Sequence, residues 1–317
     1  MKLITIENEF IRLSFLQEGA TIVEFIDKRD EENLVLRYQD LERYKDNPYY
    51  LGVTVGRNAG RIFPASYTNQ NDEVIVLDQN EGQAQLHGGE EHFHFKKWKV
   101  ESLKKDEAVL SLIDSSKYFS RAEFTLTYKL EGRELLLKIE GKSDFPTIMN
   151  LTNHSYFRMT PNVPTIQGDS LQIQSHLVQA IDKETIPTGT VLDVNEKQYA
   201  YLDFQEPKKI RESLYKEDSI SKFCLGGLDL AYLFEREMNS RLKLVSSNGQ
   251  KGLEVTSNQE SVVVYTLNKL LPNEKEFLKF AGITFEFQKR PNYIHDKNYS
   301  GEVLQKDFDY WVRYRLI

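Results

Sequence analysis

The chain has 317 residues, of which 40% are hydrophobic and 28% are charged, and its formal net charge at pH 7 is −7. This length and apolar content allow a sizeable hydrophobic core, whereas the acidic balance argues against a nucleic-acid-binding protein, which would carry a basic surface. The only cysteine, Cys224, excludes an intrachain disulfide bond and gives no sign of an oxidising compartment.

The N-terminal segment MKLITIENEFIRLSF carries charges every few residues and lacks the apolar centre of a signal peptide. No stretch approaches the ~18 consecutive apolar residues of a transmembrane helix. We therefore expect a cytoplasmic monomer or homodimer with neither a nucleic-acid nor a membrane partner.

An alternation of apolar and polar residues with a period of two runs through the chain and predicts β-strands. In chain order these segments are VIVLDQN (74–80), AVLSLID (108–114), AEFTLTYKLEGRELLLKIEGK (122–142), LKLVSSNGQKGLEVTS (242–257) and SVVVYTLNKL (261–270). The third segment is predicted to be a hairpin turning at Glu131-Gly132-Arg133, and the fourth a hairpin turning near Asn248-Gly249. The helical segments DLERYKDN and KIRESLYKEDS are short and do not alternate with strands. The pattern predicts an all-β protein: one large antiparallel β-sandwich domain over residues 1–317, with a few short helices.

Two N-terminal segments carry candidate functional residues. GRNAGRI (56–62) contains Arg57 and Arg61, which either are solvated on a surface loop or belong to a site. LHGGEEHFHF (86–95) places His87 before two glycines, which suggests a loop tip. His92 and His94 form an HxH pair that suggests a metal site, but the next carboxylate lies seven residues past His94. Exposed histidines in a polar loop are therefore the favoured interpretation of this pair, and no metal is expected.

NLTNHSYF (150–157) resembles a strand with a polar row. Counted by twos, Asn150, Thr152, His154 and Tyr156 share one face. Such a face is either wet or lines a site, and His154 can titrate near neutral pH.

GITFEFQ (282–288) places Phe285 and Phe287 on one face and Glu286 on the other. Burying a carboxylate in a strand this apolar is costly without a partner, so Glu286 either faces solvent or acts as a base in a cleft. Asp229 similarly interrupts the apolar strand GLDLAYLF (227–234).

Histidines, carboxylates and an arginine, without a convincing metal set or a Gly-rich phosphate loop, suit proton transfer on a neutral polar substrate. Cys224 has no histidine nearby in sequence, so a thiol nucleophile has little support. The residues alone lead no further.

The segments in this order resemble the aldose 1-epimerase (galactose mutarotase) family. The resemblance is carried by GRNAGRI, LHGG followed by Trp98, TIMNLTNHSYF (147–157), IPTG (186–189) followed by LDF (202–204), GLDLAYLF, VYT (264–266) and FEFQKRP (285–291). It implies a large antiparallel β-sandwich that interconverts the α and β anomers of free sugars without metal or cofactor. It also implies that Glu286 is the general base, His154 the general acid, and Arg61, His87 and Asp229 the residues that hold sugar hydroxyls.

The sequence departs from the commoner family pattern at Gly60, Leu230, Val263, Arg158-Met159 and the RPN tripeptide (290–292). The preferred sugar is therefore open, and Arg158, four residues after His154, could favour a phosphorylated or acidic sugar. Three alternatives remain: a non-catalytic sugar-binding or sensing protein on the same fold, a metal-dependent β-barrel enzyme using His92 and His94, and a hexose-6-phosphate 1-epimerase.

Overall fold

A computed structural model describes residues 1–235 and 240–317. The strands in chain order are β1 (Ile4–Glu7), β2 (Ile11–Leu16), β3 (Thr21–Asp27), β4 (Glu32–Asn33), β5 (Thr54–Val55), β6 (Arg61–Ile62), β7 (Ser66–Thr68), β8 (Val74–Val76), β9 (Gln85–Leu86), β10 (Lys99–Leu103), β11 (Glu107–Asp114), β12 (Ala122–Glu131), β13 (Glu134–Thr147), β14 (Thr152–Asn153), β15 (Tyr156–Phe157), β16 (Ser170–Ile173), β17 (Leu177–Ile181), β18 (Pro187–Asp193), β19 (Lys208–Lys209), β20 (Asp229–Leu233), β21 (Ser240–Val245), β22 (Gly252–Ser257), β23 (Ser261–Tyr265), β24 (Ile283–Gln288) and β25 (Gln305–Leu316).

The helices are short, as predicted. The α-helix α1 spans Ser219–Phe223, and the 3₁₀ helices span Leu41–Lys45, Gly89–Glu91, Phe93–Phe95, Ile166–Gly168, Lys197–Leu202 and Ile210–Ser213. Within residues 1–235 and 240–317, no helix has the length and hydrophobicity that crossing a membrane requires.

Two large sheets dominate the architecture. One has the strand order β10-β11-β12-β13-β25-β22-β21-β16-β19, and the other has the order β15-β24-β23-β20-β17-β18. A smaller sheet, β1-β2-β3-β4, accompanies them. Neighbouring strands pair antiparallel in each of these sheets, for example β13 with β25 and β23 with β24. The predicted antiparallel all-β class is therefore confirmed.

Aromatic side chains join the sheets into a sandwich. The ring of Phe157 on β15 lies 5.1 Å from that of Tyr314 on β25, and the ring of Phe25 on β3 lies 6.5 Å from that of Phe157. These side chains are nearly inaccessible to solvent, and burying each stabilises the fold by about 1.5–3 kcal/mol relative to exposure. One face of each sheet therefore packs into a shared core. The opposite face of the sheet that contains β24 is available to line a cavity.

Both predicted hairpins are confirmed. Strands β12 and β13 pair in a register that sets Leu130 opposite Leu135, so the chain turns within the predicted tripeptide. Strands β21 and β22 pair with Val245 opposite Gly252, and Asn248-Gly249 lies in their connection. Two predicted strands are shorter than expected, since β8 ends at Val76 and β23 ends at Tyr265.

The segment 150–157 is not the single strand that its alternation predicted. Its residues are buried on both sides, β14 pairs with β5, and β15 pairs with β24 of a different sheet. The break between them is made by Asn153, whose side-chain Oδ1 accepts hydrogen bonds from the backbone N–H of Ser155 (3.1 Å) and from its hydroxyl (2.6 Å). Asparagine side chains that bond their own backbone two residues on are typical of turns. His154 consequently lies at a break between two sheets.

Arg57 is not the solvated arginine that a surface loop would carry. Its side chain is 1% exposed, and its Nε and Nη2 donate to Asp114 Oδ2 at 2.8 and 2.6 Å. Lys96 contacts the other oxygen of the same carboxylate. This buried ion pair anchors the loop before Arg61 to Asp114, the last residue of β11.

We expect Asp114→Ala to lower the free energy of unfolding by about 3–5 kcal/mol, because it leaves a buried guanidinium without its counter-charge. Urea unfolding checks this. The matched control is Glu123→Ala, which breaks an ion pair with Arg121 whose side chains are 61% and 42% exposed and should cost no more than about 1 kcal/mol. Equal effects of the two substitutions would contradict the assignment.

Candidate active site

A cavity of about 970 Å³ brings together the five residues that the sequence singled out, namely Arg61, His87, His154, Asp229 and Glu286. They come from five separate places in the chain: strand β6, the residue after β9, the break after β14, the start of β20 and the interior of β24. The antiparallel sheet that contains β24, β23 and β20 forms the floor of this cavity.

The pairing of these strands determines which side chains lie on the floor of the cavity. Val263 lies opposite Glu286, Tyr265 lies opposite Thr284, and Asp229 lies opposite Tyr265. Because successive side chains of a strand point to opposite faces, Phe285 and Phe287 enter the core while Glu286 enters the cavity. The predicted two-faced character of this strand is confirmed, but its polar face is enclosed, since Glu286 is 3% exposed.

His154 and Glu286 lie side by side in the lining of the cavity. His154 Nε2 lies 3.4 Å from Glu286 Oε1, and the Thr284 hydroxyl lies at the same distance from this oxygen. Burial and the nearby Asp229 carboxylate raise the pKa of Glu286 to about 8, and burial lowers the pKa of His154 to about 4. Around neutral pH the two groups therefore hold one proton in total, and these pKa values favour Glu286 as its carrier.

His87 is held by reciprocal hydrogen bonds with Gly60. The His87 backbone N–H donates to the Gly60 carbonyl at 3.1 Å, and the Gly60 backbone N–H donates to His87 Nδ1 at 3.3 Å. Burial, together with the charges of His154 and Arg61, lowers the pKa of His87 well below its usual value. A neutral imidazole that accepts at Nδ1 carries its proton on Nε2, so His87 offers a hydrogen-bond donor. The next residue, Gly88, must be glycine, because a Cβ there would lie 2.3 Å from the Gly56 carbonyl oxygen.

Arg61 lies between two carboxylates. Its Nη1 is 4.0 Å from Asp229 Oδ2, while its Nε and Nη2 donate to the two oxygens of Glu81 at 2.6 and 3.1 Å. Burial raises the pKa of Asp229 and the Arg61 charge opposes that rise. Arg61 and Asp229 together present donors and acceptors to a hydroxylated ligand. Glu81 was not identified from the sequence, because the segment between β8 and β9 carries no recognisable motif.

Tyr50 is another cavity residue that the sequence did not reveal. Its ring centroid lies 5.0 Å from that of His87 and 5.8 Å from that of His154. On its other side it contacts His92 and His94, at 5.8 and 5.6 Å. The expectation that these two histidines are exposed is wrong: they are 7% and 6% exposed, because successive 3₁₀ turns fold them inward behind Tyr50.

A family model described as aldose 1-epimerase matches residues 2–315. The chain belongs to the aldose 1-epimerase family. It is 29% identical over 316 residues to an aldose 1-epimerase of Haemophilus influenzae, covering 95% of this chain and 91% of the relative. It is also 26% identical over 303 residues to a maltose epimerase of Levilactobacillus brevis, covering 92% and 87%. The solved structure of a galactose 1-epimerase from Lactobacillus acidophilus superimposes with a TM-score of 0.87 at 26% identity, covering 99% and 94%.

Membership of the aldose 1-epimerase family makes the protein an isomerase and allows the departures from the family pattern to be located. Gly60 and Val263 line the cavity. Leu230 and Met159 are 1% exposed and belong to the core. Arg158 is half-buried beside Glu32 and is not among the residues that line the cavity. In an unbroken strand, a spacing of four residues would put Arg158 on the same face as His154. The chain is not a strand at His154 and Ser155, so this placement does not hold.

Within residues 1–235 and 240–317, the side chains that lie close enough together to hold a metal ion do not include the HxH pair. One ligand atom each from His87, His154 and Glu286 lies within 4.8 Å of the others. A metal-binding histidine normally donates its second ring N–H to a carboxylate, carbonyl or water. His87 Nδ1 instead accepts from Gly60, so the Nε2 lone pair that a metal would need is taken by a proton. The hydrogen bonding of this set does not fit a metal ion.

We expect EDTA to leave epimerase activity unchanged and the purified protein to bind no stoichiometric zinc. Atomic absorption after dialysis measures the zinc content, and polarimetry before and after chelation measures the activity. Activity that falls on chelation and returns with added zinc would contradict the hydrogen-bonding argument and would favour a metalloenzyme.

Proposed function

We propose that this protein interconverts the α and β anomers of free aldohexoses such as galactose or glucose, with Glu286 as general base and His154 as general acid. The observation that carries the proposal is a buried carboxyl and a buried imidazole, 3.4 Å apart, in a cavity that Arg61, His87 and Asp229 also line. Binding alone does not need an acid–base pair, so this geometry disfavours a non-catalytic sugar-binding protein.

The proposed reaction is a proton exchange that opens and closes the sugar ring. The reaction starts from the form of the pair that carries its proton on His154. The Glu286 carboxylate takes the proton of the C1 hydroxyl, whose oxygen becomes a carbonyl as the bond between C1 and the ring oxygen breaks. Protonated His154 gives its proton to the ring oxygen. Rotation about the C1–C2 bond then presents the other face of the carbonyl, and the same two groups acting in reverse close the ring. The protein begins and ends with one proton on the pair.

The remaining cavity residues suit a neutral sugar. The His87 Nε2–H is a donor, the Asp229 carboxylate is an acceptor, and the Arg61 guanidinium donates from the groups that Glu81 leaves free. Hydroxyls both donate and accept, so they can satisfy all three. A hydroxylated ring held in this way has its C1 hydroxyl and ring oxygen placed for proton transfer, which is where positioning lowers the barrier.

The charges beside the proton-sharing pair disfavour a phosphate group there. Arg61 is already bonded to Glu81 and lies close to Asp229, whereas the lining lysines Lys183 and Lys269 are exposed and Lys183 pairs with Glu184 at 3.4 Å. A phosphate dianion brought beside these carboxylates would meet like charge, and like charge repels strongly in a site of low dielectric. A free aldohexose avoids that cost.

We expect Glu286→Gln and His154→Asn each to lower kcat for mutarotation by about 10²–10⁴-fold, with a much smaller change in sugar binding, because each removes one proton carrier. Since the two groups act in one exchange, the double variant should be far less impaired than the product of the single effects. Polarimetry on freshly dissolved α-glucose and α-galactose measures the rates, and circular dichroism checks folding. A folded Glu286→Gln protein that mutarotates sugars at the wild-type rate would remove the central claim.

The dependence of kcat/KM on pH should be bell-shaped. With the pKa of His154 lowered to about 4 and that of Glu286 raised to about 8, the pair holds one proton between these values. Below about pH 4 a second proton blocks the base, and above about pH 8 the loss of the last proton removes the acid. Initial rates across pH 3.5–9, with the uncatalysed mutarotation subtracted, measure both limbs. A flat profile through pH 8 would contradict proton sharing by these two groups.

A further inference from the structure

We propose that Glu81 is a positioning residue for the epimerase site, holding the Arg61 guanidinium away from Asp229 so that both remain available to the sugar. The inference rests on the proposed function wherever it is tested by enzyme kinetics. Its structural basis is the ion pair between Glu81 and Arg61. Glu81 makes two hydrogen bonds to Arg61, through its two carboxylate oxygens, whereas Asp229 lies 4.0 Å from a third nitrogen of the same group.

The chain builds the Glu81 position with local hydrogen bonds. The Asn80 side chain accepts from the Leu86 backbone N–H at 2.7 Å and donates to the Leu86 carbonyl at 3.0 Å, which closes the loop between them. Leu86 in turn pairs with Arg61 across the two-stranded sheet of β6 and β9. The loop is therefore clamped to the strand that carries Arg61, and Glu81 is held beside its guanidinium.

The geometry explains why the cavity needs this carboxylate. Without Glu81, the nearest acceptor for Arg61 is Asp229, and a small rotation would close their 4.0 Å separation into a direct ion pair. Arg61 and Asp229 would then satisfy each other instead of sugar hydroxyls. Bidentate pairing of a guanidinium with a carboxylate fixes its orientation as well as its charge, so Glu81 keeps the Arg61 donors directed into the cavity.

Glu81 also offsets the Arg61 charge felt by Glu286. The charged and titratable groups that face Glu286 are Arg61, Asp229, His154, His87, Tyr156 and Tyr310. Of these, Arg61 is the fixed cation, and it favours the ionised form of Glu286. Removing the Glu81 charge leaves that cation less compensated, so Glu286 should lose its proton more readily. The alkaline limb of the activity profile should therefore move to lower pH.

The experiment compares Glu81→Gln, Glu81→Asp and the control Glu73→Gln. Glutamine keeps the shape but loses the charge, and aspartate keeps the charge. Glu73 is an exposed glutamate on the neighbouring β7–β8 hairpin, bonded to Asn69. Polarimetry gives kcat, KM and the pH profile, and calorimetric titration with galactose gives the affinity independently of turnover.

We expect Glu81→Gln to raise KM and weaken galactose binding about ten-fold or more, as the loss of charge-assisted hydrogen bonds implies, with a smaller effect on kcat at pH 6. Its alkaline limb should shift to lower pH. Glu81→Asp should restore most of the affinity and the limb, and Glu73→Gln should behave as wild type.

Two results would overturn the role of Glu81. One is a galactose affinity in Glu81→Gln equal to that of Glu73→Gln. The other is equal impairment of Glu81→Gln and Glu81→Asp with an unmoved alkaline limb, which would indicate a structural effect only. A wild-type protein that binds galactose but does not turn it over would refute the proposed function instead, and the binding ratios would still test Glu81.

Discussion

The burial of one carboxyl group dictates much of the cavity. Glu286 is enclosed inside a strand whose six residues are all buried, and an ionised carboxylate in such a place is costly unless charge or hydrogen bonds compensate it. The structure supplies only partial compensation: Arg61 favours the ionised form, whereas burial and Asp229 favour the protonated form. The group is therefore neither a permanent anion nor a permanent acid. His154 beside it has the opposite problem, because burial disfavours its charged form, so a single proton can be shared between them.

The contact between His154 and Glu286 depends on the interruption between strands β14 and β15. If the segment 150–157 had continued as one strand, His154 would have been fixed in a ladder on a single sheet. The Asn153 turn instead lets the chain leave the pairing with β5 and join β24, and the His154 backbone is held at the crossing by hydrogen bonds with Val53 (2.9 Å) and Gly52 (3.1 Å). A rigid backbone at this point fixes the imidazole against Glu286. The proposed acid and the proposed base are thus held by neighbouring parts of the same sandwich.

The sequence predicted those features that depend on local alternation. The hairpin over 122–142 and the two faces of β24 follow from a period of two, which one sheet with one buried face imposes. The same reasoning failed at 150–157, where both sides are buried and the chain changes sheets, although Asn153 is a recognisable turn residue. The exposure of His92 and His94 was misjudged, and that of Arg57 was left open, because burial of a polar side chain depends on partners distant in sequence, such as Tyr50 and Asp114. Glu81 could not have been found without knowing that its loop folds back on β6.

Two residues that line the cavity, Gly60 and Val263 on its floor, depart from the family pattern and bear on sugar preference. Gly60 adopts a φ of +71°, a conformation that asparagine tolerates better than most residues, and a Cβ there would lie 3.4 Å from Gln288 Oε1 and from the Pro291 ring. A side chain at position 60 would therefore pack directly against two residues that line the cavity. Val263 adds a second apolar position next to Glu286 in register. Neither change removes a residue of the proton-sharing pair, so an effect of Gly60 or Val263 on sugar preference would act through the shape and polarity of the cavity lining.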